Sequence, residues 1–182
     1  MTLLPGEKMD KRKLYQVSMK SVGNVEIPGY DCVPIKIGKY PTIISYMGYG
    51  SKPWSPKPDN NLNYAEFVLS FRGQSLNEPT NIYGDWITYE LGNKDKYYYR
   101  GAIVDLIRAI DFAESRPEVD NPNIFAGCGS QGCAFTLVAC ALDNYKAATV
   151  HFIPFYPIIP IILILCIDQL NQSEKTSRTG AV

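Results

Sequence analysis

Histidine is nearly absent from this chain: 182 residues hold one, His151. An imidazole base would have to be that residue or come from a partner subunit. Net charge is absent too, because eighteen Lys and Arg balance eighteen Asp and Glu. That balance gives no electrostatic reason to expect nucleic acid or an anionic membrane as partner. The five cysteines, Cys32, Cys128, Cys133, Cys140 and Cys166, are odd in number and match no zinc spacing. Cys128 and Cys133 stand five apart, not at the two-residue gap usual for metal pairs. All five are expected as free thiols in a reducing compartment. Met1 to Lys13 is charged and has no apolar run, so no signal peptide is expected there and a cytoplasmic protein is. No internal repeat or low-complexity tract is visible.

One apolar run exists, His151 to Ile167. It is shorter than the roughly 20 residues a bilayer span needs. Pro154, Pro157 and Pro160 interrupt it, so a buried or misassigned segment is expected instead of a membrane helix. The remaining composition, 46% apolar and 20% charged, is that of a domain with a hydrophobic core.

Residues 13–22 place Leu14, Gln16, Ser18 and Lys20 between Tyr15, Val17 and Met19, a partial alternation that predicts a half-buried strand. Ile27-Pro28-Gly29 reads as a turn or strand end, followed by a strand over Tyr30–Ile35. Thr42 to Tyr46 is a β-branched apolar run ending at Gly48-Tyr49-Gly50, which suits a buried parallel strand and a flexible loop. Ser51–Asn63 is loop and Glu66–Phe71 strand. Residues 75–96 form a long Asn-, Gly- and Asp-rich excursion, a length usually kept for function or contact. Tyr99–Arg116 is the clearest helix, with Ile103, Leu106, Ile107, Ile110 and Ala113 on one face. Ile124–Ala126 is a strand, Ala134–Leu142 a helix, Ala147–Phe152 a strand, and Gln169–Val182 a polar tail. Alternating strands and helices predict an α/β fold with a mostly parallel sheet flanked by helices.

The chemistry gathers at Gly127-Cys128-Gly129-Ser130-Gln131-Gly132. A strand running into a helix through small residues around a serine is a nucleophile elbow, Gly-x-Ser-x-Gly. The helix N-terminus favours developing negative charge at Ser130. The Gln131 N–H would face the oxyanion of a tetrahedral intermediate. Gly132 fits the pattern, whereas Cys128 stands where it has glycine. The other reading is a glycine-rich turn whose serine caps the helix. His151 likewise has two readings, a strand residue or a substitute base. Asp168 follows Ser130 in the expected order but has no defined role. The thirteen tyrosines, Tyr97-Tyr98-Tyr99 among them, read as packing more than as carbohydrate stacking.

From about Tyr15 to about Phe155 the sequence resembles the acetyl xylan esterase / cephalosporin C deacetylase family of α/β-hydrolases. The segment DWITYELGNKDKYYYRG, Asp85 to Gly101, carries most of the likeness. Arg72-Gly73-Gln74, Pro117-Glu118-Val119-Asp120 and Gly129-Ser130-Gln131-Gly132 add to it. Tyr46-Met47-Gly48-Tyr49-Gly50 is similar to the family's loop after the third strand, with Met47 where His is usual. The resemblance implies a partial α/β-hydrolase domain over 1–155, followed by a divergent apolar segment and polar tail over 156–182. Ser130 would be the nucleophile, and the backbone N–H groups of Tyr49 and Gln131 the oxyanion hole. Arg72 and Gln74 would be structural. Small acetylated substrates, a hexameric homo-oligomer and no metal or organic cofactor are implied as well. The family's catalytic Asp and His lie on later strands and loops, the His within Gly-His-Glu. No such motif occurs in this sequence, and from Tyr156 onward the family pattern is lost. A truncated, inactive member is therefore the alternative to a working esterase.

Overall fold

The computed structural model describes residues 2–3, 11–57, 63–74 and 82–142. His151, Asp168, Cys166, the strand expected over 147–152 and the apolar segment lie outside them. The described strands are β1 (Thr2–Leu3), β2 (Arg12–Lys20), β3 (Glu26–Pro34), β4 (Tyr40–Tyr46), β5 (Ala65–Leu69) and β6 (Val119–Cys128). The helices are α1 (Tyr98–Glu114), between β5 and β6, and α2 (Gln131–Leu142), which follows β6. The sheet order is β1-β2-β3-β5-β4-β6.

The sheet is mixed. β1, β2, β3 and β5 pair antiparallel in succession. β4 lies parallel to both β5 and β6. The expected parallel sheet is thus present at β5, β4 and β6, and an antiparallel meander extends it on one side. A tight link makes the meander possible. Gly23 and Asn24 take left-handed backbone angles, φ 76° and 57°, and the Ser21 N–H donates to the Val25 carbonyl at 2.9 Å. So short a connection joins only antiparallel neighbours.

Ile27-Pro28-Gly29, expected as a turn or strand end, lies inside β3. Pro28 pairs with Ser18 of β2, and its carbonyl accepts from the Ser70 N–H at 3.0 Å. Gly29 is there for space: a Cβ would sit 2.8 Å from the Phe67 ring and 2.9 Å from the Val68 carbonyl. Arg12, fully buried, ties β2, β3 and β5 together. It pairs with Glu66 at 2.7 Å and donates to the Cys32 carbonyl at 3.0 Å.

The apolar face predicted for α1 is buried at Ile103, Leu106, Ile110 and Ala113 and partly buried at Ile107. It joins Ile44 and Tyr46 of β4, Phe67 and Leu69 of β5, and Phe135 of α2 in one core. The Phe71 and Phe135 rings lie 4.6 Å apart, and those of Tyr99 and Phe135 5.7 Å apart. Tyr97, Tyr98 and Tyr99 are all buried, so they pack and do not display rings to solvent. No helix among the described residues is long and apolar enough to cross a membrane.

Candidate functional site

β4 and β6 are parallel neighbours in a register that sets Tyr46 opposite Cys128. Their chains therefore leave the sheet side by side, Met47-Gly48-Tyr49 from one and Gly129-Ser130 from the other. The two turns touch: a Cβ on Gly48 would lie 3.5 Å from the Gly129 carbonyl and 3.6 Å from the Ser130 Cβ. Between them opens a cleft of about 610 Å³ lined by Ser45, Gly48, Ser51, Trp54, Cys128 and Ser130, among others. Clefts at the carboxyl ends of parallel strands are the usual ligand sites of such sheets.

Ser130 is exposed at this cleft and has φ 51°. A left-handed backbone at a non-glycine residue costs on the order of 1–2 kcal/mol and persists only where its surroundings enforce it. Gly132 provides much of that enforcement. A Cβ there would stand 2.1 Å from the Tyr46 carbonyl oxygen and 2.9 Å from that of Met47, so α2 begins pressed against the end of β4. The Gly132 and Cys133 N–H groups close the turn onto the Gly129 and Ser130 carbonyls, each at 2.9 Å. The expected strand–turn–helix geometry around Ser130 is therefore present.

Gln131 heads α2 with its side chain fully buried, and its amide donates to the Tyr99 hydroxyl in a short hydrogen bond. That bond anchors the elbow to α1. Burial pushes the Tyr99 phenol well above its usual pKa, so the ring remains a neutral anchor. Tyr49 is partly exposed. Its hydroxyl donates to Asp85 at 3.2 Å and its ring meets the Trp86 ring edge-on at 4.9 Å. The segment from Ile82 to Tyr97 thus props the loop after β4. Trp54, half exposed, is an aromatic residue lining the cleft.

Arg72 and Gln74 brace the same region from behind. Arg72 is buried and gives Asp105 two hydrogen bonds, at 2.6 and 2.8 Å. Gly101 makes room for it, since a Cβ there would collide with the guanidinium. Burial alone would depress Arg72, but the Asp105 hydrogen bonds and charge outweigh it and hold the group protonated. Burial pushes the Asp105 carboxyl upward despite the same bonds. These directions oppose one another, and the two-pronged geometry argues for the ion pair. The Tyr98 hydroxyl donates to the Arg72 carbonyl at 2.7 Å, and the Gln74 amide reaches that hydroxyl at 3.5 Å.

One expectation is overturned. Cys128 and Cys133 are not free thiols but form a disulfide across the elbow, with Cα atoms 4.8 Å apart. The sharp turn at Ser130 folds the end of β6 against the first turn of α2, a proximity that a five-residue spacing does not disclose. Cys32 is free and buried, and burial pushes its thiol up to about 11. No cluster of His, Cys, Asp or Glu able to hold a metal occurs among the described residues.

Residues 6–163 match the acetyl xylan esterase family. This chain belongs to that family. An acetyl esterase of Xylanibacter ruminicola, Axe7A, is 32% identical over 151 residues, covering 75% of this chain and 34% of its own length. The solved acetyl xylan esterase of Paenibacillus sp. R4 superposes with a TM-score of 0.69 at 26% identity, over 80% of this chain and 51% of that one. The acetyl xylan esterase 1 of Thermoanaerobacterium sp. JW/SL YS485 gives a TM-score of 0.67 at 21% identity, over 78% and 47%. This chain therefore spans about a third of the curated relative and about half of the solved ones. Its sheet and helices form the corresponding part of an α/β-hydrolase esterase fold, as the resemblance implied. Asp105 and the Cys128–Cys133 bond are the parts of this site that sequence reasoning missed. The spacing of Gly101 and Asp105, one helical turn apart, together with an arginine just after a buried strand, is the signal that could have found the first.

Proposed function

We propose that this chain carries the nucleophile half of a serine carboxylesterase that removes acetyl groups from small carbohydrates or cephalosporin C. The left-handed backbone of Ser130 at an exposed strand–helix turn is the observation that carries this reading. In it, the Ser130 hydroxyl oxygen attacks the acetyl carbonyl as a base takes its proton. The carbonyl oxygen becomes an oxyanion beside the N–H groups of Gln131 and Tyr49. Collapse expels the sugar alcohol with the proton and leaves acetyl-Ser130, which water then hydrolyses by the same steps. The first N–H groups of a helix have no partner within it, which makes Gln131 suited to that role. Gly48 and Ser130 are in near contact, which brings the loop carrying Tyr49 to the same place. The names of the relatives, acetyl esterase and acetyl xylan esterase, support an acetyl ester as the bond cleaved. A hexameric homo-oligomer and a cytoplasmic location belong to the same reading, and light scattering and cell fractionation test them.

A second reading rests on the sequence. With no Gly-His-Glu motif and one histidine, Ser130 has no evident base, and the chain would be an inactive member. Hydrolysis of a chromogenic acetyl ester by the 182-residue chain, beside Ser130→Ala, decides between them. A rate well above the control establishes the esterase. Equal rates favour the inactive member, because removing a triad base leaves only about 10³-fold over water.

A further inference from the structure

We propose that Cys128 and Cys133 form a reversible redox site that sets the conformation of Ser130, reduced and reoxidised by a low-molecular-weight thiol–disulfide couple entering through the cleft. The pair flanks the serine on both sides. Cys128 ends β6 and Cys133 is the third residue of α2, so their bond joins the two elements that the elbow separates. The strained residue lies inside the loop that the disulfide closes. Two constraints thus act on Ser130, the Gly132 wedge against Tyr46 and the covalent tie, and reduction removes the second.

Access distinguishes the two sulfurs. Cys133 is completely buried, whereas Cys128 is half-buried and lines the cleft beside Ser130. A small thiolate entering the cleft meets Cys128 and not Cys133. Its sulfur forms a bond to the Cys128 Sγ, the Sγ–Sγ bond breaks, and Cys133 leaves as a thiolate. A second small thiolate attacks the small-molecule sulfur of the mixed disulfide and releases Cys128. The balance is one protein disulfide and two small thiols converted to two protein thiols and one small disulfide. Reoxidation reverses each step. The expected consequence is that the reduced elbow relaxes and the oxidised elbow holds Ser130 as observed.

The test uses the full chain in glutathione buffers of graded composition. Alkylation and peptide mass spectrometry follow Cys128 and Cys133 separately from the other three cysteines. Backbone amide resonances of Gly129, Ser130 and Gln131 report the elbow. The expected result is a complete and reversible interconversion with the fold retained, and movement of those amides in step with the thiol count. In the Cys128→Ala/Cys133→Ala chain the same amides should ignore the buffer. Two results would overturn the proposal: a disulfide that never forms or never opens in the native chain, or one that cycles while the Ser130 and Gln131 amides stay fixed. Both readouts are independent of ester hydrolysis, so an inactive chain would refute the esterase reading without touching this one. Where hydrolysis is present, the oxidised chain should exceed the reduced chain by about tenfold, the effect of about 1.4 kcal/mol in activation free energy.

Discussion

Replacing Gly132 by alanine tests whether the elbow is held by contact between α2 and the end of β4. The added Cβ would lie 2.1 Å from the Tyr46 carbonyl oxygen, 2.7 Å from its carbonyl carbon and 2.9 Å from the Met47 carbonyl oxygen. These are backbone atoms, so no side chain can swing away. Relief needs a movement of about 1 Å, since Cβ atoms approach oxygen no closer than about 3 Å without overpacking. Shifting Tyr46 would break the last rung of the β4–β6 ladder, where it faces Cys128. Shifting α2 would withdraw Phe135 from Phe71 and Tyr99. Overpacking of this kind costs about 1–3 kcal/mol, with the upper end expected where backbone must move. Alanine regains up to about 1 kcal/mol over glycine in a helix, which leaves a net loss of about 2 kcal/mol. Gly129→Ala is the control, because no described atom lies within 4 Å of its Cβ. Urea unfolding followed by circular dichroism reads both variants. With a slope of about 2 kcal/mol per molar, the Gly132→Ala midpoint should fall by about 1 M. A Gly132→Ala midpoint equal to that of the unmodified chain, or of Gly129→Ala, would refute the wedge and with it the account of why Ser130 is strained.

Arg72→Met should cost about 3–5 kcal/mol, because it leaves the Asp105 carboxylate buried without its partner. Adding Asp105→Leu should recover much of that loss in denaturant melts, and a double variant no better than the single would argue against the ion pair. Gly101→Ala, whose Cβ would collide with the Arg72 guanidinium, should lose folded protein by the same assay. Asp31 has a distinct signature. Burial pushes its carboxyl from the ordinary 3.8 up to about 6, against the pull of Arg116 and Arg12 and with Glu118 adding to the push. The folded state then keeps a proton that the unfolded chain releases, so stability falls as pH rises from about 4 to about 6 and levels off above. The amplitude is at most about 3 kcal/mol. Asp31→Asn should flatten that segment of the stability-versus-pH curve, and an unchanged slope would assign it to other groups.

Much of this site is legible in the sequence because local sterics dictate it. A strand that must enter a helix through Gly129, Ser130 and Gly132 has few ways to turn. The structure uses the one that exposes the serine. α1 is legible for a similar reason, since Leu106 and Ile110 recur at the helical period and can be buried together in one orientation only. Pairing direction is different. Alternation identifies β2 as a strand without naming its neighbours, and Pro28-Gly29 suggests a break until Phe67 and Val68 are seen to need the space that Gly29 leaves. The interactions that fix the elbow are the least legible of all. The Cys128–Cys133 bond, the Gln131–Tyr99 bond and the Arg72–Asp105 pair each depend on where two elements meet in space.

These contacts share a geometry that ties segments far apart along the chain to one serine. Ser130 lies in one short motif, yet its conformation depends on Tyr46 and Met47 through Gly132 and on Tyr99 through Gln131. Tyr98, beside Tyr99, bonds the Arg72 carbonyl, and Asp105 on the same helix holds the Arg72 side chain. Asp85 and Trp86 support Tyr49 in the loop after β4. Segments 72–74, 85–101 and 129–132 are therefore successive parts of one support. A serine in a Gly-x-Ser-x-Gly sequence without Arg72, Gly101 and Asp105 behind it would keep the motif but lose the scaffold that holds α1 against the strands.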